Sequence, residues 1–459
     1  MASPLFLCIL LIVCSYSYIV AGATPHSFVL VSTSSSSFQP TDVCSTSTVS
    51  PRPDRTTAPL VHRHGPCARS PSTIKKTFFA QALHRSRARA DYIMSRASRR
   101  KTTQEDDKVS VPAYIGASVD SLEYVVTLGL GTPAVEQVVL MDTGSDLSWV
   151  QCKPCNSSDC YPQKDPLFDP SKSSTYAPIP CGSRLCKTLE DDHFDNGCTN
   201  GTQCGFRVEY GDGSKTTGVY SNEALTLAPG VVINNFHFGC GYHQGGPNDK
   251  YDGLLGLGGA PESLPVQTSK LYGRAFSYCL PAVNSGSGFL ALGAPSNTSG
   301  FLFTPMTRFM HESTFYLVTL TGISVGGKQL SIPRKVFEGG MIIDCGSILT
   351  RLPDTAYEKL KSAFRTAMAA YPLVPGNDDT CYNFTGYSNV TVPRVALTFS
   401  GGVTVDLDVP NGVLLDDCLA FSDSGPDDYV GMIGNVNQRT LEILYDVGGG
   451  RLGFRASAC

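Results

Sequence analysis

After about residue 111 the chain runs as short apolar stretches separated by turn-forming residues. "EYVVTLGLG", "QVVLMDTG", "FRVEYGDG", "FHFGCG", "FYLVTLTGISVGG", "MIIDCG", "VALTFSGG" and "LEILYDVGGGRLGF" are mostly bounded by Gly, Pro, Asn or Asp, as strands and their connections require. Helical spacing is confined to few places. The best is "DTAYEKLKSAFRTAMAAY", with Asp354 placed to cap it, and a second lies in the basic stretch "FFAQALHRSRARADYIMSRASRRK". The pattern predicts an all-β body with short helices.

That body repeats itself. "VVLMDTGSDLSWV" and "MIIDCGSILTRL" share the order apolar run, Asp, small residue, Gly, Ser, apolar residue, and Asp142 and Asp344 lie 202 residues apart. Each is followed by an apolar stretch ending in Gly, "YDGLLGLGG" (251–259) and "GMIGNV" (431–436). Two lobes of one design account for this, residues 111–305 and 306–459. With 41% apolar residues the 459-residue chain can bury two cores.

The amino-terminal part differs. "MASPLFLCILLIVCSYSYIVAGA", residues 1–23, is an apolar run ending in small residues, as in a secretory signal, although it contains no Lys or Arg. A plastid transit peptide is the alternative. No other stretch approaches the ~18 uninterrupted apolar residues of a membrane span. Residues 1–110 carry 14 Lys+Arg against 6 Asp+Glu, and the rest of the chain 22 against 34. Residues 24–110 can therefore be a solvated linker or a basic prosegment held by an acidic body near neutral pH and loosened as carboxylates protonate. In the second case the mature chain starts between 101 and 115.

Thirteen of the 17 Cys follow residue 150, seven of them between 152 and 204. A zinc site is the rival reading of "CKPCNSSDC", but no His lies close by, and disulfides fit an exported chain. Asn156, Asn200, Asn297, Asn383 and Asn389 each begin an N-x-S/T sequon, which together suit glycosylation in the secretory pathway.

The paired D-x-G-S motifs, "YGDGS" between them and the two apolar-Gly stretches resemble the pepsin-like aspartic proteases over nearly all of residues 120–459. "HRHGPC", the Cys-rich insert and the ending "IGNVNQRTLEILYDVGGGRLGFRASAC" look like the nepenthesin-type plant branch, which includes proteins first described as chloroplast nucleoid DNA-binding proteases. The resemblance implies a bilobal pepsin-like fold. It also implies that Asp142 and Asp344 are catalytic, supported by Thr143, Gly144, Ser145, Cys345, Gly346 and Ser347. Tyr210 matches the flap tyrosine, with Gly211 beside it, and Trp149 its supporting Trp. Asp146 and Asp252 read as substrate-facing or as turn residues.

The chemistry fits those residue types. Hydrolysing a peptide without a metal or covalent nucleophile needs one group to deprotonate water and another to protonate the departing amine. Two carboxylates about 3 Å apart cannot both ionise, so they share a proton and supply both functions, an established property of such dyads. No metal or cofactor is expected.

Cys345 departs from the family pattern, in which Thr or Ser follows each catalytic Asp and bonds across to the opposite loop. A thiol donates and accepts weakly, so that bond is weakened or lost. Twelve of the thirteen late Cys can pair, which leaves Cys345 as a free buried thiol; a nucleophile and half of a disulfide are the other readings. Three function classes follow. One is an acid endopeptidase acting on polypeptides as a monomer, in the apoplast or vacuole, with a chloroplast as the alternative. Another is a catalytically weakened relative acting as a binding or inhibitor protein. The third, a nucleic-acid-binding protease, requires the basic segment to be retained, since the acidic body repels phosphate. No membrane partner is expected.

Overall fold

The computed structural model describes residues 26–29, 56–62, 76–98 and 123–459, except 157, 164, 192–193, 200, 247–250, 283–287, 311 and 377–379. The chain is mostly strands, and the two lobes meet in a closed barrel that draws strands from both. The lobe junction is antiparallel: Ala275–Cys279 pairs with Glu442–Asp446. Phe276 stacks on Tyr445 at 4.4 Å between ring centroids, so aromatic contact fastens the joint.

The internal repeat in sequence is a repeat in structure. Val135–Asp142 runs parallel to Gly253–Gly256, with Trp149–Gln151 antiparallel to the latter. In the second lobe Met341–Ile343 runs parallel to Gly431–Ile433, and Arg351 lies antiparallel to Met432. Met341–Ile343 is buried on both faces, which is why it reads as a continuous apolar run rather than an alternating one. Each Asp thus sits at the end of a buried strand and enters the lobe junction.

Helix Asp354–Ala367 buries Ala356, Tyr357, Leu360 and Phe364, the face its spacing predicted. Asp354 does not cap it. Pro353 occupies the cap and Asp354 is the first helical residue, where its charge still suits the positive helix end. Six disulfides pair Cys152–Cys240, Cys155–Cys160, Cys181–Cys198, Cys186–Cys204, Cys279–Cys459 and Cys381–Cys418. The cysteines of "CKPCNSSDC" are therefore all in bridges, and Cys345 alone is unpaired among the described residues. No helix among those residues is long and apolar enough to cross a membrane.

The amino-terminal segment is built into the body. Thr56–His62 lies between Gly288–Leu292 and Tyr124–Val126 and completes the barrel on both edges. Lys76–Ser98 forms a 23-residue helix. A freely solvated linker does not fit either piece. Residues 1–23 and the expected start at 101–115 lie outside the described residues, as does Asn200; Asn156, Asn297, Asn383 and Asn389 are exposed.

Candidate active site

Asp142 and Asp344 are wholly buried and are brought together at the lobe junction. In the first loop Gly144 N donates to Asp142 Oδ1 at 2.8 Å, and Ser145 Oγ donates to Oδ2 at 2.5 Å. In the second, Gly346 N donates to Asp344 Oδ1 at 3.0 Å and Ser347 Oγ to Oδ2 at 2.6 Å. Both glycines are required by the closeness of the loops. A Cβ at 144 would lie 2.9 Å from Asp344 Oδ1, and one at 346 would lie 2.5 Å from Asp142 Oδ1.

Beneath the carboxylates the loops bond across. Thr143 Oγ1 accepts from Cys345 N at 3.0 Å and donates to Ile343 O at 3.2 Å. Cys345 mirrors the second bond with its thiol, which donates to Met141 O at 3.6 Å. The substitution keeps the bond and lengthens it. Burial and the two neighbouring carboxylates push the thiol's pKa well up, so Cys345 is held neutral.

The hairpin that matches the family's flap lies above. Tyr210 opens the turn between strands Gln203–Glu209 and Lys215–Ala228, with Gly213 at φ +83°. Its hydroxyl accepts from Trp149 Nε1 at 2.7 Å. Asp146 and Asp252 are both buried and structural: Asp146 Oδ1 accepts from Ala260 N and Oδ2 from Thr314 Oγ1, while Asp252 Oδ2 accepts from Val138 N.

The residue that pattern reading missed is Arg89. Helix Lys76–Ser98 lies in the cleft, and Arg89 Nη2 donates to Asp142 Oδ1 at 2.5 Å while its Nε stands 3.6 Å from Asp344 Oδ2. Burial raises the Asp344 pKa; Arg89 opposes that shift and Asp142 adds to it. The helix is anchored along its length. Ile348 N donates to Ser86 Oγ, Arg351 pairs with Asp91, and Arg96 pairs with Glu312. Leu83 packs with Ile348, Leu349 and Val436, and Ile93 and Met94 pack with Phe315, Leu317 and Met432. Tyr92 and Ala88 press on flap Gly211, where a Cβ would fall 2.3 Å from Tyr92 Cβ. The helix fills the space between the flap-like hairpin and the carboxylates. The charge imbalance pointed to this segment, but only the register of the helix shows which arginine meets the carboxylates.

Comparison with known proteins agrees with this architecture. Residues 124–294 match the family model described as xylanase inhibitor N-terminal, and residues 315–456 its C-terminal counterpart. Aspartyl protease AED1 of Arabidopsis thaliana is 40% identical over 87% of this chain and 86% of its own. A second Arabidopsis aspartyl protease family protein is 38% identical over 90% and 89%. Nepenthesin-2, an aspartic proteinase of Nepenthes gracilis, is 34% identical over 78% and 81%. Basic 7S globulin from soybean shares the fold, with a TM-score of 0.58 at 20% identity over 73% of this chain and 91% of that one. The chain belongs to the pepsin-like aspartic proteases, in their nepenthesin-type plant branch.

Proposed function

We propose that the protein is an acid endopeptidase made as a self-inhibited precursor, with Asp142 and Asp344 as the catalytic pair. One observation carries the reading. Two buried carboxylates, each held by a glycine N–H and a serine hydroxyl, face each other so closely that a basic side chain of the same chain bridges them. Once Arg89 is withdrawn, like charges at that distance retain one proton. The ionised carboxyl then takes a proton from water as the water attacks the peptide carbonyl. The protonated one supplies the proton that the departing amine needs. Tyr210, held by Trp149, closes over the bound chain.

Segment 24–110 acts as the prosegment in this reading, and polypeptides are the substrates. The residues 1–23 and the exposed sequons suit passage through the secretory pathway to the apoplast or vacuole. A binding protein without turnover is favoured by Cys345 and by the match of both lobes to family models described as xylanase inhibitor. The same assay separates the two: acid-treated protein should cleave an unstructured polypeptide and be blocked by a transition-state mimic. Asp142→Ala or Asp344→Ala should lower turnover by about 10⁴-fold, the upper range for a positioned acid or base, while secretion persists. Unchanged turnover in either variant ends the assignment.

A further inference from the structure

Arg351 stands where the first lobe has Trp149. Each lies seven residues after its Asp, and each is antiparallel to the residue following the glycine of the apolar-Gly strand, Trp149 to Leu254 and Arg351 to Met432. Trp149 spends its polar atom on the flap. Arg351 has no flap to hold, and its guanidinium faces the cleft helix.

Its donors divide into two sets. Nε donates to Asp423 O at 2.9 Å, a bond within the body that fixes the guanidinium plane. Nη1 donates to Arg87 O at 3.3 Å and to the Asp91 carboxylate, both on the cleft helix. Arg87 and Asp91 flank Arg89 by two residues each way, about 3 Å along the helix axis. Arg87 and Asp91 share one helix face and Arg89 points from another, so the contact is level along the axis with the point where Arg89 meets the catalytic pair. With the helix bound, the Arg351 side chain is 13% exposed. When the helix leaves, Nη1 loses both partners while Nε keeps the fork in place.

We infer that Arg351 is a specificity-determining residue, which recognises a carboxylate side chain of the substrate at a position next to the scissile bond. Asp91 occupies that place in the precursor. The inference rests on the peptidase reading. A fixed, permanently charged fork level with the reacting centre suits an Asp or Glu of the substrate better than a neutral isostere, which can accept only an uncharged hydrogen bond.

The test uses peptides that differ only by Asp or Asn, scanned through the positions around the cleaved bond, on the acid-activated full-length protein. At one position wild type should favour Asp over Asn by roughly tenfold in kcat/KM near pH 5, the scale of a charge-assisted hydrogen bond. That ratio should fall toward one below about pH 3, where the substrate carboxyl, with an ordinary pKa of about 3.9, is protonated. Arg351→Gln should lose the preference and Arg351→Glu should reverse it toward Lys. Each ratio is taken within one enzyme, so a general loss of turnover cancels. The pH arm needs no variant and stands even if neither variant folds. No positional preference in wild type, or one that persists in Arg351→Gln, overturns the inference while leaving the peptidase reading intact. If no peptide is cut, the peptidase reading falls. The same Asp/Asn ratio measured as binding of uncleavable reduced-bond peptides then decides the role of Arg351 by itself.

Discussion

The loops carrying Asp142 and Asp344 agree wherever they touch a carboxylate and differ most one, four and seven residues further on. Glycine N–H and serine O–H meet each carboxyl in the same way. The next position is Thr143 in one lobe and Cys345 in the other, the fourth is Asp146 against Ile348, and the seventh is Trp149 against Arg351. The shared groups set the frame of the carboxyl pair. The unshared ones set what lies around it: how tightly the loops are tied, whether a buried charge sits behind them, and what covers each half of the cleft. Trp149 holds a lid that belongs to the body, whereas Arg351 holds one that is expected to leave.

Arg89 reaches both carboxylates, Asp142 by a hydrogen bond and Asp344 across 3.6 Å, and removing it breaks the comparison hardest. Loss of one partner from a buried ion pair typically costs about 3 to 5 kcal/mol, a shift of order 10² to 10⁴ in the helix-bound population. Arg89→Ala precursor should therefore cleave peptide without the lag expected of wild type on acidification. The sign on pH follows from the same pair. Arg89 opposes the upward shift of Asp344, so in the helix-bound precursor the pair holds its proton to higher pH without it, whereas the active forms, from which the helix has gone, should share one pH profile. In both proteins, amino-terminal sequencing of the active form should find a start between 101 and 115. An unchanged lag, or an active form still beginning near residue 24, contradicts self-inhibition by this segment.

Asp146 gives the next largest effect. It is 1% exposed, and burial raises its pKa to about 6 from 3.8 despite hydrogen bonds from Thr314 and Ala260. A carboxyl with a raised folded-state pKa binds more protons folded than unfolded. Its stabilising contribution is complete below about pH 4 and is lost as pH rises through about 6. The shift corresponds to about 2 to 3 kcal/mol. Asp146→Asn should flatten the change in urea midpoint between pH 4 and pH 7, bringing this loop closer to the one with Ile348. If the wild-type midpoint does not fall over that range, Asp146 is not the buried acid described.

Much of this was legible because it rests on local pattern. The repeat around Asp142 and Asp344, the strand-rich body and the odd cysteine at 345 all follow from short-range order in the chain. The Trp149 bond to Tyr210 was implied by the family resemblance. Asp354 read as a cap because it opens an amphipathic run, but the preceding Pro353 has the extended backbone a cap needs. Arg89 was hidden among several arginines of one helix, since charge attracts the segment without selecting a residue. Thr56–His62 gives no sign in sequence that it completes a barrel through partners 60 and more residues away. Arg351 could have been found. Its seven-residue offset from Asp344 matches that of Trp149 from Asp142, and only the difference between an aromatic and a cation obscures the equivalence.

The smallest effect sharpens the comparison most narrowly. Thr143 donates to Ile343 O at 3.2 Å, and Cys345 donates to Met141 O at 3.6 Å, the equivalent bond through a weaker donor. Restoring a hydroxyl should strengthen that one bond. Cys345→Ser or Cys345→Thr should preserve turnover and raise stability by up to ~1 kcal/mol, with Thr limited by the space for its methyl in a fully buried site. A bridged cysteine predicts the opposite, a loss of about 2 to 5 kcal/mol and an orphaned partner thiol. A nucleophile predicts loss of turnover on substitution and inactivation of the native enzyme by alkylation, which the buried, neutral thiol should resist. Alkylation of the unfolded, unreduced mature protein settles the matter. One modified cysteine, at 345, leaves the bonds beneath the carboxylates differing by a single weak donor, and none there would make Cys345 part of a bridge that the structure does not contain.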